Sequence, residues 1–203
     1  CTHRSVNLHV LGYYIDIQHK GFEELEQNMK DQGMNAFNHM ITNLKKCGIE
    51  VNEEEVLKAA QGKVVCGELI GEVILNKTGS EKNALLKPYL KEGSRSDNPY
   101  LNFYLDFFAK GKPAYVPMKY MELSEVVALI KKSRGIPVLA HPGNNLRNHL
   151  NLLDGILKEG VLGIEVFSNY HAPEQIGYFL DAARKHKAII TCGSDFHGKN
   201  KPG

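Results

Sequence analysis

From residue 115 to residue 191, short β-branched runs alternate with stretches of helical period, and this alternation restricts the chain to an α/β fold built on a parallel sheet or barrel. Gly135-Ile136-Pro137-Val138-Leu139-Ala140, Gly163-Ile164-Glu165-Val166-Phe167 and Ala188-Ile189-Ile190 read as buried strands. Leu123 to Lys132 reads as an amphipathic helix, with Leu123, Val126, Val127 and Ile130 on one face. Lys131, Lys132 and Arg134 close it where cations suit the helix dipole. Residues 145–158 form a second predicted helix, and a third opens at Ala172-Pro173-Glu174 and runs to about His186. Periodicity alone does not separate a barrel from an open sheet.

Polar residues cluster where these strands end, which is where α/β folds build their sites. The last strand runs into Thr191-Cys192-Gly193-Ser194-Asp195-Phe196-His197-Gly198. Asp195 and His197 lie two apart, so on an extended backbone they point the same way. A carboxylate beside an imidazole suits a divalent cation such as Zn, Mn or Fe. The strand from Gly135 ends in His141-Pro142-Gly143, where the breakers delay the next helix. Near the N-terminus, Val6 to Tyr13 alternates as a strand, with His9 on the face of Asn7 and Leu11. One histidine in a strand is usually structural, but three strands that each deliver one suggest a metal site.

The arrangement resembles the PHP family, named for polymerase and histidinol phosphatase domains. The matching pieces are His9-Val10-Leu11-Gly12-Tyr13, Ala140-His141-Pro142-Gly143, Gly163-Ile164-Glu165-Val166-Phe167 with Tyr170-His171, and Gly193-Ser194-Asp195-Phe196-His197-Gly198. They occur in the family's order and cover nearly the whole chain, and they look closest to the stand-alone bacterial phosphoesterases that act on nucleotides and short RNA ends. The resemblance implies a partial, distorted (β/α)7 barrel with two or three divalent metals (Mn, Zn or Fe) at its C-terminal rim. It implies metal-dependent hydrolysis of phosphomonoesters or phosphodiesters, with His9, His141, Asp195 and His197 as metal ligands. His171, at the rim, would hold phosphate or protonate the leaving group, while Glu165 alternates with apolar neighbours as a structural residue would. The family's His-x-His motif, Asp-His pair and metal-bridging Glu are absent. That Glu would fall a few residues before Cys1, so the sequence looks like a piece that begins just after it. The 203 residues alone are therefore expected to be weak or inactive. The alternative is a non-catalytic PHP remnant with a binding or scaffolding role. A TIM-type amidohydrolase would need a His-x-His on its first strand, and none of the nine histidines has a partner two residues away.

Residues 1–19 and 115–203 are assigned to the barrel portion, and residues 20–114 to a helical insertion folded over its mouth. The insertion opens with a helix from His19 to about Lys46, which Gly33 could interrupt. A capping-box start at Asn52 and Glu55 opens a helix through Ala60, and further helices are predicted over Gly67–Asn76, near Ala84–Lys91 and over Tyr100–Ala109. In Lys91-Glu92-Gly93-Ser94-Arg95-Ser96-Asp97-Asn98-Pro99-Tyr100, Arg95 offers a planar fork suited to substrate phosphate. The same loop reads as a helix start, with Asp97 or Asn98 as cap and Pro99 at the first helical position.

A net charge of +2 indicates no broad nucleic-acid face. No apolar run approaches the roughly 20 residues of a membrane span. The four cysteines lack C-x-x-C spacing, which supports reduced thiols and a cytoplasmic protein rather than a zinc ribbon or disulfide framework. The expected partner is a small phosphorylated substrate, a nucleotide or short RNA, and not a membrane.

Overall fold

The computed structural model describes residues 1–196. The chain forms two compact units, one from residues 1–23 and 120 onward, the other from residues 24–119.

The first unit is a mixed α/β fold. Its strands are β1 (Thr2–His3), β2 (Val6–Asn7), β3 (Val10–Tyr13), β4 (Ile136–Leu139), β5 (Gly163–Ser168) and β6 (Ile189–Gly193). β3, β4, β5 and β6 form a four-stranded sheet in that order, open at both edges among the described residues and not a closed barrel. β4, β5 and β6 are parallel, as the strand–helix alternation implies. β3 departs from that expectation: it runs antiparallel to β4, with Val10 opposite Leu139 and Tyr13 opposite Ile136.

The predicted continuous strand from Val6 to Tyr13 is two strands. β1 and β2 form a tight hairpin, with Thr2 opposite Asn7, turning at Arg4 and Ser5, which have φ of 47° and 66°. Positive φ at both central residues is the geometry that matches hairpin twist. Leu8 then drops into the core at 1% exposure. His9 therefore lies in the gap before β3 and shares no strand face with Asn7 or Leu11.

Helices cover the sheet with the apolar faces read from the sequence. α5 (Leu123–Lys132) starts at a capping box in which Glu122 N–H donates to Glu125 Oε2 at 2.9 Å. Its Leu123 and Val127 join Leu8, Leu139, Leu153, Ile156, Ile164, Val166 and Phe179 in one buried cluster. α8 (Pro173–His186) has proline in its first turn, where the missing N–H costs nothing. Residues 145–158 are not one helix. α6 (Pro142–Leu146) begins directly at the proline and stops at Arg147, whose φ is 38° and whose guanidinium bonds Asn144 O and Oδ1. A 3-10 stretch follows, and α7 covers Leu153–Lys158. The run Ala188-Ile189-Ile190 is not buried either: among the described residues β6 is an edge strand, and Ile189 and Ile190 are 46% and 43% exposed.

The second unit is helical. α1 (Lys20–Lys46) enters it and passes Gly33 without a break. α2 (Glu53–Ala60) is capped by Asn52, whose Oδ1 accepts from Glu54 and Glu55 N–H. α3 (Gly67–Leu75) and α4 (Pro99–Phe107) pack together, and Phe103 meets Phe107 and Tyr89 at ring distances of 4.6 and 5.3 Å. The helix predicted near Ala84–Lys91 is only a 3-10 turn at Lys87–Tyr89, because Pro88 cannot donate to an α-helical ladder.

Candidate metal centre

Antiparallel β3 brings His9 and His141 together. His9 precedes β3 and His141 follows β4, so reversed directions put both at the same end of the sheet. Ala140 N–H donates to His9 O at 3.0 Å and closes the pairing. His9 Nδ1 then lies 3.2 Å from His141 Nε2, with the rings edge-on and their centroids 5.0 Å apart. Asp195, just past β6, places Oδ1 3.8 Å from His141 Nε2, and its side chain is 9% exposed. His197, the fourth expected ligand, lies outside the described residues.

Tyr170, which the sequence offers only as the neighbour of His171 and with no site role, joins this cluster. Its hydroxyl donates to Asp195 Oδ2 at 3.0 Å, and its ring stands edge-on to His141 at 5.5 Å. The loop after β5 carries it there, and its only sequence signal is adjacency to His171.

Two of the converging residues have unusual backbone. φ is 23° at His141 and 55° at Asp195. Aspartate tolerates the left-handed region, whereas a histidine at 23° is strained. Beneath them sits Glu165 of β5, a buried carboxyl group flanked by the buried apolar residues Ile164 and Val166. Its Oε2 accepts the His141 backbone N–H at 2.8 Å. Its Oε1 fills the space where a β-carbon on Gly193 would stand.

His171 is buried against Phe179, and both its ring nitrogens have backbone partners. Nδ1 faces Val166 O at 2.7 Å, and Nε2 accepts from Gly143 N–H at 3.0 Å. That pairing sets the tautomer, with the proton on Nδ1. Arg95 belongs to the helical unit. Its Nε and Nη2 donate to Asp106 Oδ2 and Oδ1 at 3.0 and 2.9 Å, so one edge of the guanidinium fork is engaged there. Tyr89 also donates to Asp106, at 2.8 Å. Burial, reinforced by that carboxylate, pushes the Tyr89 phenol well above its ordinary range.

Two imidazole nitrogens bound to one tetrahedral zinc lie roughly 3.3 Å apart. The 3.2 Å between His9 Nδ1 and His141 Nε2 fits that requirement. Asp195 supplies a nearby carboxylate of the kind that neutralises a divalent charge. The described residues go no further: no group of three His, Cys, Asp or Glu side chains among them is arranged to hold an ion. The pair thus fits two positions of a coordination shell, with Asp195 adjacent.

No family model matches the chain. It is 31% identical over 101 residues to the 3',5'-nucleoside bisphosphate phosphatase of Chromobacterium violaceum, a match covering 48% of this chain and 35% of that protein. It is 26% identical over 198 residues to the 5'-3' exoribonuclease Rnm of Escherichia coli, covering 94% of this chain and 60% of that one. The chain therefore spans between about a third and three-fifths of these curated relatives. A solved structure described as a putative metal-dependent phosphoesterase from Bifidobacterium adolescentis matches all of this chain and 67% of its own, with a TM-score of 0.75 and 23% identity.

Proposed function

We propose that this chain, a member of the PHP family of metal-dependent phosphoesterases, contributes the His9, His141, Asp195 and His197 side of a divalent-metal centre that hydrolyses phosphoesters of nucleotides or short RNA ends. The observation that carries the reading is the 3.2 Å approach of His9 Nδ1 to His141 Nε2 with the Asp195 carboxylate 3.8 Å away. The relatives support the substrate class, since one is named for a nucleoside bisphosphate and the other for RNA. On this reading the open sheet is part of a distorted (β/α)7 barrel, and further ligands are needed to complete the centre.

Bound divalent ions would supply hydroxide near neutral pH and charge stabilisation at the phosphoryl group. The chain's own residues have simpler tasks. His9 and His141 present neutral nitrogens, which requires that neither face the site protonated. Asp195 offers negative charge, and Tyr170 holds one of its oxygens so that the other faces His141. Arg95 would bind phosphate through the guanidinium edge that Asp106 does not engage.

The test is Mn²⁺-dependent phosphate release from a nucleoside monophosphate and from a 5'-phosphorylated oligoribonucleotide. It is run on the 203-residue chain and on its His141→Ala variant. Weak metal-dependent release by the parent and its loss in His141→Ala are expected. No metal-dependent release from the parent would overturn the reading and favour a binding role.

A further inference from the structure

We infer that Glu165 is a positioning residue that holds His141 in its strained conformation by bonding its backbone, and that His171 holds the other end of the same turn. The inference rests on the metal reading proposed above and extends it to residues outside the proposed ligand set.

A metal-binding histidine is normally aimed by a hydrogen bond at its second ring nitrogen. His141 lacks that device: its Nδ1 is buried and has no hydrogen-bond partner. Its orientation must come from the main chain, which at φ 23° does not rest there unaided. Two side chains carried by β5 and its following loop grip the turn. Glu165 Oε2 takes the His141 N–H at 2.8 Å, and His171 Nε2 takes the Gly143 N–H at 3.0 Å. His171 is itself anchored through Nδ1 to Val166 O at 2.7 Å.

The glycines around the site fit the same device. A β-carbon on Gly143 would come within 2.5 Å of His171 Cδ2, and one on Gly193 would collide with Glu165 Oε1. Both glycines therefore make room for the clamp. Gly193 lies two residues before Asp195, so one carboxyl group touches the strand ends that deliver His141 and Asp195. Glu165 is a buried carboxyl group between buried Ile164 and Val166, and the His141 N–H is the donor it meets there.

The test compares Glu165→Gln, which keeps an acceptor oxygen, with Glu165→Met, which keeps the volume and removes it. Co²⁺ titration followed by visible absorption reads affinity and ligand geometry. Two-dimensional NMR of the imidazoles reads the contact between the His9 and His141 rings without metal. Expected is about a tenfold or greater loss of Co²⁺ affinity in Glu165→Met. That variant should also lose the inter-ring contact, and Glu165→Gln should stay within about threefold of the parent. Unchanged affinity in Glu165→Met, or equal losses in both variants, would overturn the inference. If the parent binds no Co²⁺, the metal reading fails. The ring contact then decides the clamp alone: loss in Glu165→Met supports it, and persistence overturns it.

Discussion

His9 and His141 lie 132 residues apart in sequence, yet Nδ1 of one is 3.2 Å from Nε2 of the other. Two facing imidazole nitrogens are compatible only if one donates a proton to the other or if both turn lone pairs toward a cation. Two charged rings at this distance would repel each other. The reversed direction of β3 makes the approach possible, because it puts the residue before one strand beside the residue after its neighbour.

Gly193 is expected to be intolerant of even one methyl group. In Gly193→Ala the new β-carbon would collide with the Glu165 carboxyl group. Overpacking of this kind costs about 1–3 kcal/mol. Urea unfolding should show that loss, and Glu165→Ala in the same chain should recover much of it, a non-additive pair. Additive losses would mean that the two residues do not share the space.

The helical unit should depend heavily on Phe103. This residue is fully buried, and its ring meets Tyr89, Phe107 and Phe108 at 5.3, 4.6 and 5.9 Å. Phe103→Ala should cost about 3–5 kcal/mol, as large truncations in a core do. Denaturant unfolding monitored by far-UV circular dichroism checks it. A loss below about 1 kcal/mol would mean the cluster is not a core.

Acid should weaken the α7–α8 contact. Asp154 accepts from His186 Nε2 at 2.7 Å and from Lys185 Nζ at 3.1 Å. The bond to His186, followed by that to Lys185, holds its carboxyl group below the usual carboxylate range. A folded pKa below the unfolded one gives stability that is present above the ordinary carboxylate range and is lost as pH falls through the folded value. Thermal melts of the parent and Asp154→Asn should differ near neutrality and converge in acid. A difference that stays constant across that range would contradict the linkage. The effect should be small, because Asp154 is solvent-exposed.

Much of this was legible in the sequence for physical reasons. The helix α5, the strand β5 and the start of α8 follow from apolar period, charge placement and proline at the first turn. His141 and Asp195 at strand ends could be read from the apolar runs before them. The direction of β3 could not be read, because a four-residue strand carries no mark of its partner. The exposure of β6 was hidden for a related reason: Ile189 and Ile190 have the composition of a buried strand, and position in the sheet decides burial. Arg95 shows a different limit. A loop arginine with serines suggests phosphate, but only packing reveals that Asp106 engages one edge of its fork. Glu165 and His171 act through main-chain N–H groups, which leave no trace in residue type.

The proposed function requires His9 and His141 to share one divalent ion beside Asp195. The most direct measurement is a crystal of the 203-residue chain grown with zinc, with diffraction recorded on both sides of the zinc absorption edge. An anomalous peak bonded to His9 Nδ1 and His141 Nε2, absent from crystals of His141→Ala, is expected. Zinc found only at surface residues, with the two rings still hydrogen-bonded to each other, would contradict it.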